Sequence, residues 1–294
     1  YKIPILNKKN YNMKHYITLL SLLIVSLGFA QKDPVAIIKS VNALKKQTIA
    51  QMQANTNKTK NDILYEKFAK EAEAKLLEIE NVSGTYELPE ELKPYLKIGV
   101  GFTADFQKLL DNAGLEAAWN EGFAGFYFKK GYLAKNFKNY LSEEYLLYLR
   151  INDIRPFMYD DAALMIGWDE LGTLLLNECN FIKKYPNSKK LKEVKLCYAD
   201  DVITFIFGID NTPSFEIPVA RKTMKAFVSK NPEALATPLV KIYLENTKVN
   251  KNGMTVYKDE NKNLYGLINA ELEKQLGGKI SDLSSEFYSE YNED

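Results

Sequence analysis

Three acidic pairs stand close together in the middle of the chain: Asp160-Asp161 in YDD, Asp169-Glu170 in WDE and Asp200-Asp201 in YADD. Paired carboxylates can serve as general acid and base, or hold a divalent cation through oxygen ligands. The acid–base role needs one carboxyl whose pKa is raised by burial. Asp161 and Asp169 are eight residues apart, so an unbroken helix would put them on one face, two turns apart, although Gly167 interrupts that helix. Asp160, Asp161 and Asp169 are thus the catalytic candidates if the chain is a carboxylate-based hydrolase acting on envelope polysaccharide. The plainer reading of the same residues is helix N-terminal charge and a solvated surface. Arg155 could pair with Asp153 or Asp161.

A second concentration is aromatic. Between Phe123 and Tyr159 there are 11 aromatic residues in 37, where the chain's 12% predicts about four. A Tyr-rich surface beside lysines (Lys129, Lys130, Lys135, Lys138) would stack on a sugar ring or a peptide stem. Tyr127, Tyr132, Tyr148, Tyr159 and Trp168 are the candidate binding residues. Core packing is the other use of such a cluster. Read as a helix, Phe123, Phe126, Tyr127, Phe137, Tyr140 and Leu141 can share one face.

Other chemistries are closed. The single histidine is His15, near the start. Beyond it, Ser-His-Asp and Cys-His nucleophiles, histidine-ligated zinc and imidazole acid–base chemistry have no residue to run on. DENKNLYGL carries Asp259, Asn261 and Asn263 at alternate positions, like a calcium loop. Leu264 replaces the glycine that such a loop needs, and Ala270 its bidentate glutamate, so a turn explains it. GVGFTA lacks a preceding strand, so no nucleotide reading follows. No cofactor and no metal is assigned.

MKHYITLLSLLIVSLGFAQ, from Met13, has a charged start, an apolar run from Ile17 to Gly28 and small residues before a cut between Ala30 and Gln31. That is the pattern of a secretory signal peptide. The organisation expected is an upstream extension over 1–12, a signal peptide over 13–30 and one domain over 31–294. Removal of residues 1–30, which carry four lysines and no acid, would leave 35 basic against 38 acidic residues. Such a balance gives no footprint for nucleic acid. No second apolar run is long enough to span a bilayer. Export into an oxidising compartment would allow a disulfide between Cys179 and Cys197. They flank a helical corner about four residues out of register, which makes the bridge stretched, with two buried thiols as the alternative.

The elements that must position these residues are mostly helical. Asp33-Pro34 is an N-cap and N1 pair, and Ser142 and Thr103 read as caps. Gly114 and Gly208 close helices. The run from Gly114 to Leu141 is helical by period. Thr212-Pro213 and Asn231-Pro232 repeat the cap grammar, and Pro238 predicts a kink. Val256-Tyr257 and Leu264-Tyr265 around a polar turn predict a small β-hairpin near 254–268. The expected class is all-α: an irregular helical domain with that one hairpin.

The stretch FIKKYPNSKK, from Phe181 to Lys190, resembles the helix corners of tetratricopeptide repeats. A 34-residue frame set on Pro186 fails at Leu174, Glu178 and Gly208, so the resemblance implies a corner and not an array. KKYPNS followed by FGIDNTPSF is also similar to exported helical proteins of Gram-negative bacteria. That resemblance implies an exported, periplasmic or extracellular protein of the envelope. Apart from that resemblance, the function expected is non-enzymatic binding of an envelope protein, peptide or glycan, with the carboxylate-based hydrolase or a purely structural helical protein as alternatives.

Overall fold

The computed structural model describes residues 33–79, 90–97, 101–120 and 123–291. The upstream extension, the signal peptide and the Ala30–Gln31 junction lie outside the described residues. The chain is mostly helical, with eleven α-helices among the described residues and five small two-stranded antiparallel sheets. None of these helices is long and apolar enough to cross a membrane.

Two apolar cores organise the chain. The first is built by α1 (Pro34–Gln53), α2 (Lys58–Leu77), β1 (Leu96–Lys97), β2 (Gly101–Phe102), α3 (Ala104–Ala113), β3 (Leu115–Asn120), β4 (Phe123–Phe128), α4 (Tyr132–Phe137) and α5 (Glu143–Asn152). Asp33 accepts from the Val35 N–H and Asn57 from the Lys60 N–H, so side chains cap both long helices. Tyr65, Phe68, Phe137 and Tyr145 meet edge-on or tilted, with ring centroids 4.9–5.7 Å apart. Phe126 and Phe106 extend this buried cluster.

Here the helical expectation for the aromatic run fails. Leu115–Asn120 and Phe123–Phe128 pair in an antiparallel ladder, Leu115 opposite Phe128 and Asn120 opposite Phe123. FAGFYF is apolar at nearly every position, so periods of 2 and 3.6 fit it equally well. The partner strand decides between them, and only Tyr132–Phe137 of the remainder is helical before α5.

The second core follows. It uses β5 (Tyr159–Asp160), β6 (Ala163–Leu164), α6 (Trp168–Lys184), α7 (Leu191–Phe207), β7 (Gly208–Ile209), β8 (Thr212–Pro213), α8 (Pro218–Lys230), α9 (Thr237–Asn246), β9 (Thr247–Val249), β10 (Thr255–Tyr257), α10 (Leu264–Leu276) and α11 (Ile280–Tyr291). Short 3₁₀ turns at Arg155–Phe157 and Ser214–Glu216 complete it. The helices run up and down. At one end lie the corners, Tyr185–Ser188, Asn231–Pro232 and Gly277-Gly278. At the other lie the hairpins β5–β6, β7–β8 and β9–β10, in contact through β6 with β7 and through the Ser214–Glu216 turn. An open repeat array would touch only its neighbours. In this fold α11 returns to pack on α7, and Lys195 Nζ of α7 donates to the Leu276 carbonyl at 2.9 Å.

Several boundaries differ from expectation. Val256 and Tyr257 are in a hairpin, but they pair with Lys248 and Thr247, while Leu264 and Tyr265 open α10. Thr212-Pro213 is a strand, and α8 starts at Pro218. Asn231 closes α8 instead of capping α9. Pro238 falls in the first turn of α9, where its missing N–H leaves no bond unmade, so it does not kink that helix.

The two cores meet through α5 and α6, and Tyr148 packs against both. Ion pairs Lys184–Glu143 at 2.9 Å and Lys190–Glu66 at 2.8 Å cross the boundary, as does the pair Lys130–Glu170.

Candidate functional site

The least expected chemistry in the structure is a buried charge cluster. Arg155, in the turn after α5, sends Nη2 to Glu178 Oε1 at 2.6 Å and to Asp201 Oδ2 at 2.9 Å. Glu178 is on α6 and Asp201 on α7; their side chains are 0% and 1% exposed, and Arg155 is 25% exposed. Glu178 Oε2 and Arg155 Nε are buried without a hydrogen-bond partner. Burial and the neighbouring Asp201 push the Glu178 carboxyl well above the ordinary carboxylate range, against the pull of Arg155. Burial opposes the charge on Arg155, but Asp201, Cys197 and Glu178 outweigh it and hold the guanidinium above its usual pKa.

Charge counting explains the direction. Two ionised carboxylates and one guanidinium would leave a net negative charge in a dry interior, which is expensive. One proton on Glu178 makes the cluster neutral. It also turns the unpartnered Oε2 into an O–H that can donate towards Asp201.

The cluster belongs to a polar seam along α7. Glu193, Cys197 and Asp201 are spaced by four, so they share one face. Tyr148 OH donates to Glu193 Oε1 at 2.7 Å. Burial raises the Cys197 thiol to about 12, and Arg155 opposes that only in part. Burial likewise raises Cys179 to about 12. Both cysteines are free thiols, Cys179 buried and Cys197 half-buried.

The expected Arg155 partners are therefore replaced. Asp153 closes α5 and accepts from the Gly131 N–H at 3.2 Å; burial raises its carboxyl to about 6. Asp161 sits at the tip of the β5–β6 hairpin, exposed. Asp160 is half-buried in β5, and Asp169 is exposed in the first turn of α6. A hairpin and Gly167 separate Asp161 from Asp169, so no single helix presents them together.

The candidate binding aromatics do not form one surface. Trp168 is buried and donates Nε1–H to the Phe205 carbonyl at 2.9 Å. Tyr148 is occupied by Glu193. Tyr132 lies over Gly114, stacked on Phe128, with its hydroxyl 2.5 Å from Lys45 Nζ. Tyr127 is half-buried, edge-on to Phe157. Tyr159 is the exposed one of the five.

A different surface collects the exposed apolar side chains. Ten large ones are exposed among the described residues, and eight of them sit at the hairpin end of the second core. Tyr159 is in β5 and Met165 follows β6. Phe215 is in the turn after β8, and Val219 is in the first turn of α8. Val249 and Tyr257 come from β9 and β10, Tyr265 and Leu267 from the first turn of α10. Periodicity had no means of finding this rim, because its members are scattered over six elements and the segment after β6.

Hydrogen bonds tie the β5–β6 and β7–β8 hairpins of the rim together. The Asn211 N–H donates to the Ala162 carbonyl at 3.0 Å and Asn211 Nδ2 to the Asp161 carbonyl. The Leu164 N–H donates to Thr212 Oγ1 at 2.9 Å. Gly208 starts the second hairpin at φ +78°, where a side chain would strike the Thr212 carbonyl. No protein-family model, curated protein or solved structure matches the chain.

Proposed function

We propose that this is an exported, non-enzymatic binding protein whose hairpin end docks onto a protein partner of the cell envelope. The observation that carries the reading is the crowding of eight of ten exposed large apolar side chains onto that end. Exposed apolar surface gathered at one end costs solubility, and such surface is characteristic of interaction sites. The buried cluster supports binding over catalysis. Glu178 and Asp201 have almost no exposed surface, and a general acid must come within hydrogen-bond reach of its substrate. Export rests on the sequence pattern before Gln31.

The test is footprinting of the secreted chain by hydroxyl radicals, with and without an envelope extract. Met165, Phe215 and Tyr257 are expected to become protected. A Phe215→Asp, Tyr257→Asp variant with unchanged circular dichroism is expected to lose that protection. Protection confined to other faces would overturn the reading. N-terminal sequencing of the secreted protein is expected to begin at Gln31; a product that retains residues 13–30 would defeat the export half.

A further inference from the structure

The rim is not electrically uniform, and the division points to one kind of partner. Residues 159–170 and 208–219 form the β5–β6 and β7–β8 half of it. Those 24 residues contain six acids and no lysine or arginine, where the chain's average would place about three bases. Asp161 and Asp210 are exposed at the two hairpin tips, which Asn211 ties together. Glu216 is exposed beside Phe215, and Asp169 lies in the first turn of α6. Lys130 is taken by Glu170, and Arg155 by Glu178 and Asp201. Lys222 is exposed on α8 just beyond Val219. The β9–β10 half has the opposite balance, with Lys248, Lys251, Lys258 and Lys262 against Asp259 and Glu260.

Between the acids stand Tyr159, Met165, Phe215 and Val219; Met165 is 60% exposed and Val219 55%. From this juxtaposition we infer that the β5–β8 half of the rim receives a cationic amphipathic polypeptide segment. Its apolar side chains would cover Met165, Phe215 and Val219. Its Lys or Arg side chains would lie over Asp161, Asp210 and Glu216. The inference rests on the hairpin end being the docking face, and it adds the chemistry of the partner. An anionic membrane surface and a nucleic acid are repelled by the same carboxylates. Charge complementarity of this kind sets on-rate and specificity, while the apolar contacts supply most of the affinity. The hydrogen bonds between the two hairpins fix the tips before binding, so little ordering cost remains on this side.

The experiment uses the chain from Gln31 and three labelled peptides of equal length. One has Lys and Leu at amphipathic helical spacing, one has Glu and Leu, and one has Lys and Ser. Binding is read by fluorescence anisotropy at two salt concentrations. The Lys/Leu peptide is expected to bind at least tenfold tighter than either of the others, and to weaken with salt. Asp161→Asn, Asp210→Asn, Glu216→Gln together, or Met165→Ser with Phe215→Ser, are expected to weaken it at least tenfold. The control Glu71→Gln, Glu73→Gln, Asp105→Asn removes the same charge elsewhere and is expected to change it less than twofold. Circular dichroism of every variant reports folding. Equal loss in the control, or equal binding of the Lys/Ser peptide, would overturn the inference as unspecific charge attraction. Absence of Lys/Leu binding overturns it too. If the rim is still footprinted by an envelope partner in that case, the docking reading survives; if it is not, both fall.

Discussion

One buried cation in each core shows two opposite ways of holding positive charge: Lys45 in the first and Arg155 in the second. In the first, Lys45 is 5% exposed and has neutral acceptors. Its Nζ donates to the Ala113 carbonyl at 3.1 Å and to Tyr132 OH, and lies 4.6 Å from the Tyr132 ring centroid. Ala113 is the last residue of α3, so the lysine meets the negative end of a helix dipole. In the second core Arg155 is held by two buried carboxylates. Both cations are held by hydrogen bonds, but the consequences of removing each differ. Loss of Lys45 leaves a carbonyl and a hydroxyl; loss of Arg155 leaves two acids in a dry interior. A buried cation is therefore dispensable in proportion to the charge of its partners.

The widest separation between the cores should come from removing each cation. Arg155→Met is expected to cost about 4 kcal/mol, as breaking a buried ion pair typically does. Lys45→Met should cost about 2 kcal/mol, the scale of hydrogen bonds made by one charged group to neutral partners. Urea unfolding of the two variants measures both. Similar losses would show that the comparison is wrong.

Next in size is Gly114→Ala. The residue sits at φ +78°, and a methyl group would overlap the Tyr132 ring that roofs Lys45. Positive φ and overpacking together are expected to cost about 3 kcal/mol. The Tyr132→Phe background should keep that loss, because the ring and not the hydroxyl makes the overlap.

Acid–base behaviour distinguishes the cores without a change in packing. A carboxyl raised by folding adds stability that is complete below its unfolded pKa and lost as pH rises through its folded pKa. Glu178 should therefore make the protein less stable as pH climbs from about 4.5 upward. Asp153 does the same between 3.8 and about 6. Glu178→Gln keeps the geometry and is expected to flatten the upper part of the profile. Asp153→Asn should flatten the part below about 6. An unchanged profile in Glu178→Gln would mean that the cluster holds no proton.

The smallest effect expected is a gain. Asp161 and Ala162 have φ of 44° and 56°, which non-glycine residues rarely adopt. Ala162→Gly removes the left-handed penalty at some entropic cost, and should stabilise by about 0.5 kcal/mol. A calorimetric rise in Tm would register it.

How much could be read in advance varied by type of element. The capped helices were legible. Ser142 accepts from the Tyr145 N–H at 3.1 Å, Gly114 adopts the left-handed cap, and the Tyr185–Ser188 corner joins two helices where the turn residues say it should. These signals are local, carried within four residues of the feature. The β3–β4 ladder was not legible, because an almost uniformly apolar run has no period to read. The rim and the charge cluster were not legible either. Their residues come from separate elements, and the partners of Arg155 lie 23 and 46 residues away.

By itself, the sequence determined the capped starts at Asp33 and Ser142, the helix end at Gly114 and the Tyr185–Ser188 corner. It also determined that no histidine follows residue 15 and that the 34-residue repeat frame fails at Leu174, Glu178 and Gly208. Backbone caps and missing residue types need no neighbours in space. Only the tertiary structure decided that Trp168 is core, that Glu178 and not Asp153 or Asp161 answers Arg155, and that eight apolar side chains share one end. The reason is that burial and charge pairing depend on which elements face each other. Helix corners at one end and hairpins at the other fix that facing, and no window along the chain contains it.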